Sequence, residues 1–184
     1  MKILIALFGE SGCGKDSIAK KLEKDYGYFK IKRMTSRPMR QGEAQGDPYL
    51  FADAHELKED ITDNIQNYLE VGQFNGWVYA THIDSLEKEI NVGTYDIDAV
   101  RMLMSDKMVY VIPIYIYVDA KIRMLRLLNR EENPDIDEIC RRYQADKRDY
   151  EQGLGYAYDL VENNDLDIAV KQIKEIVNFA LDTD

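Results

Sequence analysis

A chain that runs an apolar strand straight into Gly9-Glu-Ser-Gly-Cys-Gly14-Lys15 has few ways to fold. Ile3 to Phe8 reads as a buried strand, and Ile18, Ala19 and Leu22 share one face of a following helix. Two glycines with four residues between them, then lysine, between a strand and a helix, are the layout of a phosphate-cradling turn. The glycines admit positive φ, so that successive backbone N–H groups can aim inward at an anion. The helix beginning near Lys15 adds its positive end, and the Lys15 ammonium reaches the outer phosphates. The candidate triphosphate contacts are therefore Gly9, Ser11, Gly12, Cys13, Gly14, Lys15, Asp16 and Ser17.

Where such a loop ordinarily has a hydroxyl after its lysine, this chain has Asp16, with Ser17 next. A carboxylate also ligates Mg²⁺, directly or through water, but it carries negative charge toward the phosphates. Cys13 reads as a small spacer in the loop, the alternative being a thiol activated by the helix start.

The 184 residues fit one domain with a real core. With 24 Lys and Arg against 34 Asp and Glu, the net charge is −10, which argues against a nucleic-acid or anionic-membrane surface. The partner expected is a small anion met by a local basic cluster. Two cysteines far apart and two histidines predict no cysteine- or histidine-based metal site, no disulfide framework and a cytoplasmic setting. No apolar run approaches the roughly 20 residues of a membrane span, and Met1-Lys2-Ile3 leads into a strand rather than a signal peptide.

Along the chain, the first helix should run to about Lys24, and Tyr28–Met34 should form a second strand. Thr35–Phe51 reads as loop and turn. Asp53 and Glu56 mark a helix start, and Leu57, Ile61, Ile65 and Leu69 predict a helical stripe through residue 69. Phe74-Asn-Gly-Trp77 predicts a hairpin turn into a strand at Val78–Thr81, and Asp84–Ile90 a short helix stopped by Gly93. Thr94–Asp98 reads as a strand ending in carboxylates. In Met108–Val118, Pro113 is expected to confine the strand mostly to Ile114–Val118. Helices from about Asp119 to Asn129 and from Asp137 carry Arg123, Arg126, Arg141, Arg142, Lys147 and Arg148, and Arg130 lies between them. Leu160-Val161 is a last strand and Asp167–Leu181 a closing helix. Strands alternating with helices predict an α/β fold, a mostly parallel sheet covered on both faces.

The phosphate loop, T-S-R-P-M-R-Q-G-E at Thr35–Glu43, Y-L-E at Tyr68–Glu70, N-G-W-V-Y-A-T at Asn75–Thr81, D-I-D at Asp96–Asp98 and V-E-N-N-D-L-D at Val161–Asp167 occur in the order of guanylate kinases, and the chain resembles that family nearly end to end. The resemblance implies a P-loop NTPase fold of three α/β/α layers. It further implies a core at about 1–32, 92–125 and 150–184, a monophosphate-binding insert at about 33–91 and a small helical lid at about 126–149. The implied activity is ATP-dependent phosphorylation of GMP, or dGMP, with Mg²⁺, by a monomer or homodimer whose partners are nucleotides rather than nucleic acid or membrane.

Residue by residue, the resemblance assigns Arg37 and Arg40 to the acceptor phosphate, joined by the hydroxyls of Tyr49 and Tyr79. Planar guanidiniums suit bidentate phosphate contacts. Glu70 matches the carboxylate that accepts from guanine N1–H and its 2-amino group, and Thr81 a donor to the base oxygen. Thr35 opens the same segment, and Asp98 matches an acid near base and metal, which with Asp16 makes the expected metal pair. Arg126, Arg130 and Arg142 match the arginines that act with Lys15 on the transferring phosphoryl group, and Asn163 an asparagine near the adenine. Without the family, Arg37 and Arg40 are loop cations and the lid arginines a solvated face paired with local acids.

Two departures stand out. Ala99-Val100-Arg101 follows D-I-D where the family usually has Gln-Gly, and G-K-D-S resembles the phosphate loop of ribose bisphosphate kinases, a sister branch. That branch suggests ribose 1,5-bisphosphate as an alternative acceptor. A non-catalytic guanylate-kinase-like binding module is the third reading, against which Lys15 and the lid arginines count.

Overall fold

Ile3 to Phe8 are all buried, and their alternation decides the layering of the whole molecule. The computed structural model describes residues 1–182 except 40, 41, 75, 131, 151 and 152, with 153 and 154 in backbone alone. In chain order come β1 (Lys2–Phe8), α1 (Lys15–Tyr26), β2 (Phe29–Lys30), β3 (Met34–Thr35), β4 (Leu50–Phe51), α2 (Ala54–Asp63), β5 (Tyr68–Phe74) and β6 (Trp77–His82). There follow β7 (Ile90–Tyr95), α3 (Ile97–Ser105), β8 (Val109–Tyr117), α4 (Ala120–Leu128), α5 (Ile136–Asp149), β9 (Asp159–Glu162) and α6 (Leu166–Asp182).

Five strands pair in the order β2-β7-β1-β8-β9, parallel throughout, as the alternation of strands and helices predicts. Ile3, Ile5 and Leu7 face Ile18 and Leu22 of α1 and Val170, Ile173 and Val177 of α6. Leu4, Ala6 and Phe8 face Val100 and Leu103 of α3, with Leu69 and Leu86. The phosphate loop thus leaves the carboxyl end of the central strand, where parallel α/β sheets place ligands. A second sheet, β4-β3-β6-β5, stands apart from the first and carries the segment between β2 and β7.

Several expected elements come out differently. The run Tyr28–Met34 is divided: β2 edges the main sheet and β3 belongs to the second. Asp53 does cap α2, its carboxylate accepting from His55 and Glu56 N–H groups, but the helix stops at Asp63. Asn64 bonds back to Asp60 at 2.8 Å, and Leu69 falls in β5, where it joins the core beside Leu86. Its four-residue spacing from Ile65 is a coincidence of two elements with different periods.

No helix forms over Asp84–Ile90; a 3₁₀ turn at Ile83–Ser85 leads to β7. Gly93 sits inside that strand, where an added Cβ would stand 2.6 Å from the Tyr95 ring and 2.9 Å from Ile31. It permits a close approach rather than ending a helix. β7 ends at Tyr95, and Asp96 caps α3 through Ala99 N–H at 2.8 Å, so Asp98 is helical. Pro113 is internal to β8 after all. Its carbonyl accepts from Tyr158 N–H at 2.7 Å, so its missing N–H faces the β9 side before β9 pairing begins at Ile114↔Asp159. No ladder donor is lost there.

Ile114 of β8 is fully buried between its neighbouring strands β1 and β9. Ile114→Ala should cost about 2–5 kcal/mol. Urea denaturation followed by circular dichroism should show a lower midpoint with the slope unchanged.

Candidate active site

The phosphate loop is held from three sides. Gly14, the residue before α1, has φ 94°, and an added Cβ would stand 2.4 Å from Asn163 Nδ2. Glycine is required there both by conformation and by space. Asn163 Nδ2 donates to the Cys13 carbonyl at 2.7 Å, and Arg126 Nη2 donates to the Asn163 carbonyl at 2.9 Å. Asn163, expected near adenine, is therefore a buried prop of the loop and of Arg126. Behind the loop, buried Arg123 reaches Glu10 at 3.1 Å, the Val118 carbonyl at 3.1 Å and the Ser11 carbonyl at 3.4 Å. Tyr115 OH donates to the other Glu10 oxygen at 2.7 Å.

Lys15 lies over the loop, donating to the Gly9 carbonyl at 2.5 Å and the Glu10 carbonyl at 3.3 Å. Burial by itself would lower its pKa, but Cys13, Asp146 and Asp16 hold it above the ordinary lysine value. Burial raises the Cys13 thiol despite Lys15 beside it, which fits a spacer and not a nucleophile.

One N–H of the loop is already engaged. Ser11 N–H donates to Asp146 Oδ2 of α5 at 2.7 Å, and Arg123 lies 3.9 Å from the same oxygen. Burial lifts the Asp146 carboxyl above its usual value, while the Ser11 N–H, Lys15 and Arg123 oppose that shift. A carboxylate of α5 thus occupies part of the anion nest.

Two cavities meet at this loop. One, of about 380 Å³, is lined by Gly12, Gly14, Lys15, Asp16, Ser17, Arg126, Leu127 and Arg130. The other, of about 220 Å³, adds Arg33, Arg37, Tyr49, Tyr79, Tyr95, Asp96 and Arg142. Lys15, Asp16 and Arg130 line both. In a chain of net charge −10, the cations gather here, which is the local basic cluster that a small anion requires.

Arg37 is 7 % exposed and clamped by Glu43 through two parallel bonds of 2.9 Å. Its guanidinium lies over the rings of Tyr49 and Phe51. Tyr49 and Tyr79 pack edge to face at 5.7 Å on the same wall. Arg40 lies outside the described residues. Thr35 is fully buried away from the cavity; its hydroxyl donates to the Val78 carbonyl and accepts the Arg37 N–H, so it shapes the arginine segment instead of touching ligand.

Glu70 and Thr81 are brought together as expected, the hydroxyl donating to Glu70 Oε1 at 2.8 Å. Between them and the cavity stands Arg33, which sequence reasoning missed. Its Nε and Nη2 lie 2.9 and 2.8 Å from the same Glu70 oxygen, and Nη1 donates to the Thr94 carbonyl. The guanidinium is sandwiched between Tyr95 at 4.7 Å and Tyr79 at 5.6 Å. Burial pushes the Glu70 carboxyl up, while the Arg33 charge and the Thr81 hydroxyl pull it down. An arginine keeps its charge in proteins, so the ionised carboxylate is its partner, and removing either one costs about 3–5 kcal/mol. A signal for Arg33 did exist: with buried Ile31 and Thr35 it falls on the inward parity of that segment.

Asp98, expected near base and metal, is exposed on α3 and paired with Arg101 at 2.9 Å. The turn into α3 moves it off the cavity, and Asp96 takes its place in the lining. Among the described residues no three His, Cys, Asp or Glu side chains gather as a metal cage. Asp16 and Asp96 with Thr94 nonetheless suit Mg²⁺, which binds through one or two carboxylates plus phosphate oxygens. Across the cavity, Glu138 braces α5: Arg142 Nε donates to it at 2.7 Å, and Arg141 grips it with bonds of 2.6 and 2.9 Å.

A glycine nest with its lysine, two joined cavities lined by cations and a parallel α/β core define a phosphotransferase of the P-loop nucleoside monophosphate kinase class. The guanylate kinase family model matches residues 1–180. The chain is 29 % identical to a guanylate kinase of Sulfurimonas denitrificans, over 96 % of this chain and 87 % of that one. It is 30 % identical to a guanylate kinase of Bacillus cereus, over 95 % and 87 %. The crystal structure of guanylate kinase from Anaplasma phagocytophilum superposes with a TM-score of 0.72 at 18 % identity, covering 97 % of this chain and 85 % of that one. The chain belongs to the guanylate kinase family. Among the described residues, no helix is long and apolar enough to cross a membrane.

Two expectations follow. Asp146→Asn removes the negative charge competing for the nest and should tighten a non-hydrolysable ATP analogue about fivefold, worth about 1 kcal/mol, by calorimetry. The hydrogen bonds from Arg141, and then Arg142, hold the Glu138 carboxyl down at about 2 from an ordinary 4.5. Its support of α5 is therefore complete above pH 4.5 and lost as pH falls through about 2. Hydrogen exchange of α5 amides should accelerate across that window, and Glu138→Gln should abolish the acid-dependent step.

Proposed function

We propose that this protein transfers the γ-phosphoryl group of ATP to GMP, or dGMP, giving ADP and GDP. The observation that carries the reading is the junction of the two cavities at Lys15, Asp16 and Arg130. A triphosphate in the loop and a monophosphate held by Arg37, Tyr49 and Tyr79 would meet end to end there. We assign Arg40 to the same grip, from the family resemblance.

An acceptor phosphate oxygen attacks the γ-phosphorus as the bond to the bridging oxygen of ADP breaks. The acceptor is already ionised near neutral pH, so no general base is needed. Lys15, Arg126, Arg130 and Arg142 stabilise the charge on the group in flight and keep the reactants in line. Mg²⁺, held by Asp16 and Asp96 with the phosphates, would supply charge neutralisation. Closure of the second sheet and of the α4–α5 segment over the reactants excludes water as a competing acceptor.

ADP release with GMP, dGMP, AMP and ribose 1,5-bisphosphate tests this directly. Turnover should be greatest with a guanine monophosphate, and Lys15→Met should lower kcat by about 10²–10³-fold. Preferred turnover of the ribose compound would replace the nucleotide reading. An ATP analogue that fails to bind would favour a binding module.

A further inference from the structure

We propose that the outer edge of β9 and the adjoining face of α6 form a docking groove for an extended, cationic segment of another protein, which joins the main sheet as a further strand. The groove lies outside both cavities at the phosphate loop, so this inference stands whichever monophosphate is the acceptor.

β9 is the last strand of the five-stranded sheet and pairs on one side, with β8. Asn163 N–H, just past the strand, donates to the Tyr117 carbonyl of β8 at 2.9 Å. Alternation along the strand then turns the backbone groups of Leu160 and Glu162 toward the open edge. There the Leu160 N–H donates to Asp159 Oδ1 at 2.7 Å. That carboxylate oxygen stands where the carbonyl of an added strand would accept. Val161 anchors the strand in the core against α6, so the edge is presented on a fixed support.

Beside the edge lies a cavity of about 520 Å³, larger than either cavity at the phosphate loop. The β9 residues line it together with Asp165, Ile168, Glu175 and Ile176. Leu160 is 42 % exposed and Ile168 58 %, so apolar side chains of an added strand have surface to cover.

Charge identifies the occupant. Asp159, Glu162, Asp165 and Glu175 line the groove, and among the described residues no lysine or arginine does. Asp165 gives one oxygen to the first N–H groups of α6, and Glu175 lies 4.0 Å from exposed Lys171 at the border. Among the described residues these acids do not gather as a metal cage, so they suit the separated cations of an extended segment better than one ion. A second copy of this chain is disfavoured: β9 laid on β9 sets acids against acids, in a molecule of net charge −10. Lysine or arginine alternating with apolar residues complements both the carboxylates and the exposed Leu160 and Ile168.

The probe is a short synthetic peptide alternating lysine and valine, titrated into the full chain and followed by amide chemical shifts. Binding should have a Kd of about 10–100 µM, as a short edge allows, and the shifts should centre on Leu160, Glu162 and Ile168. The same peptide with alternate amides N-methylated keeps its charge but cannot add a strand, and should bind at least tenfold more weakly. Leu160→Lys and Ile168→Lys, both at exposed positions, should each weaken the unmodified peptide about tenfold while binding of an ATP analogue is retained. Equal binding of the methylated peptide, or shifts spread over other acidic surfaces, reduces the effect to diffuse charge attraction and overturns the proposal. So does absence of binding, or a concentration-dependent dimer that protects the β9 amides without peptide.

Discussion

Holding a polyanion with backbone N–H groups requires a loop that stays open with its donors converging, and the rest of this structure serves that requirement. A peptide loop left to itself would turn some donors toward its own carbonyls. Here Asn163 takes the Cys13 carbonyl and Arg123 the Ser11 carbonyl, from β9 and α4 sides respectively. Lys15 covers the Gly9 and Glu10 carbonyls. The carbonyls are occupied from behind, which leaves the N–H face for the ligand. Asp146 lies across that face at Ser11, so α5 and the loop are connected by the same N–H to oxyanion chemistry that suits a phosphate.

Charge pairing organises the acceptor side as well. Arg37 is oriented by Glu43, Arg33 by Glu70 and Arg142 by Glu138. Each guanidinium has a carboxylate partner that fixes its orientation, and Arg33 and Arg37 each spend a further donor on a backbone carbonyl, Thr94 and Pro38 respectively. This is pre-organisation of positive potential in a chain that is acidic overall. The cost is that none of these arginines is freely replaceable by lysine, because a point charge lacks the fork that holds two bonds at once.

Much of the architecture was legible in the chain. The strand, loop and first helix follow from apolar periodicity plus glycine and lysine spacing, which act over a few residues and depend on nothing distant. The hairpin at Phe74–Trp77 and the cap at Asp53 were likewise local. What misled were patterns that two elements share by chance, as with Leu57 to Leu69, or a residue with two possible meanings, as with Gly93 and Pro113. Gly93 is small because Tyr95 and Ile31 come close, and Pro113 is tolerated because a neighbouring strand has not yet begun.

At the site, the residue types demanded by phosphate chemistry were readable: Lys15, Arg37, Arg130, Arg142, Tyr49 and Tyr79 all line the two cavities. Short-range spacing determines which side chains a segment carries and which face of a strand or helix they share. Only the tertiary structure decided which partners those side chains meet. It put Arg33 between Glu70 and the cavity, moved Asp98 to solvent, drew Asn163 behind the loop and laid Asp146 on Ser11. The pairings of Arg33, Asn163 and Asp146 join residues 37 to 150 positions apart. Their energies come from burial and charge in a shared low-dielectric space, and that space exists only once the sheets have packed.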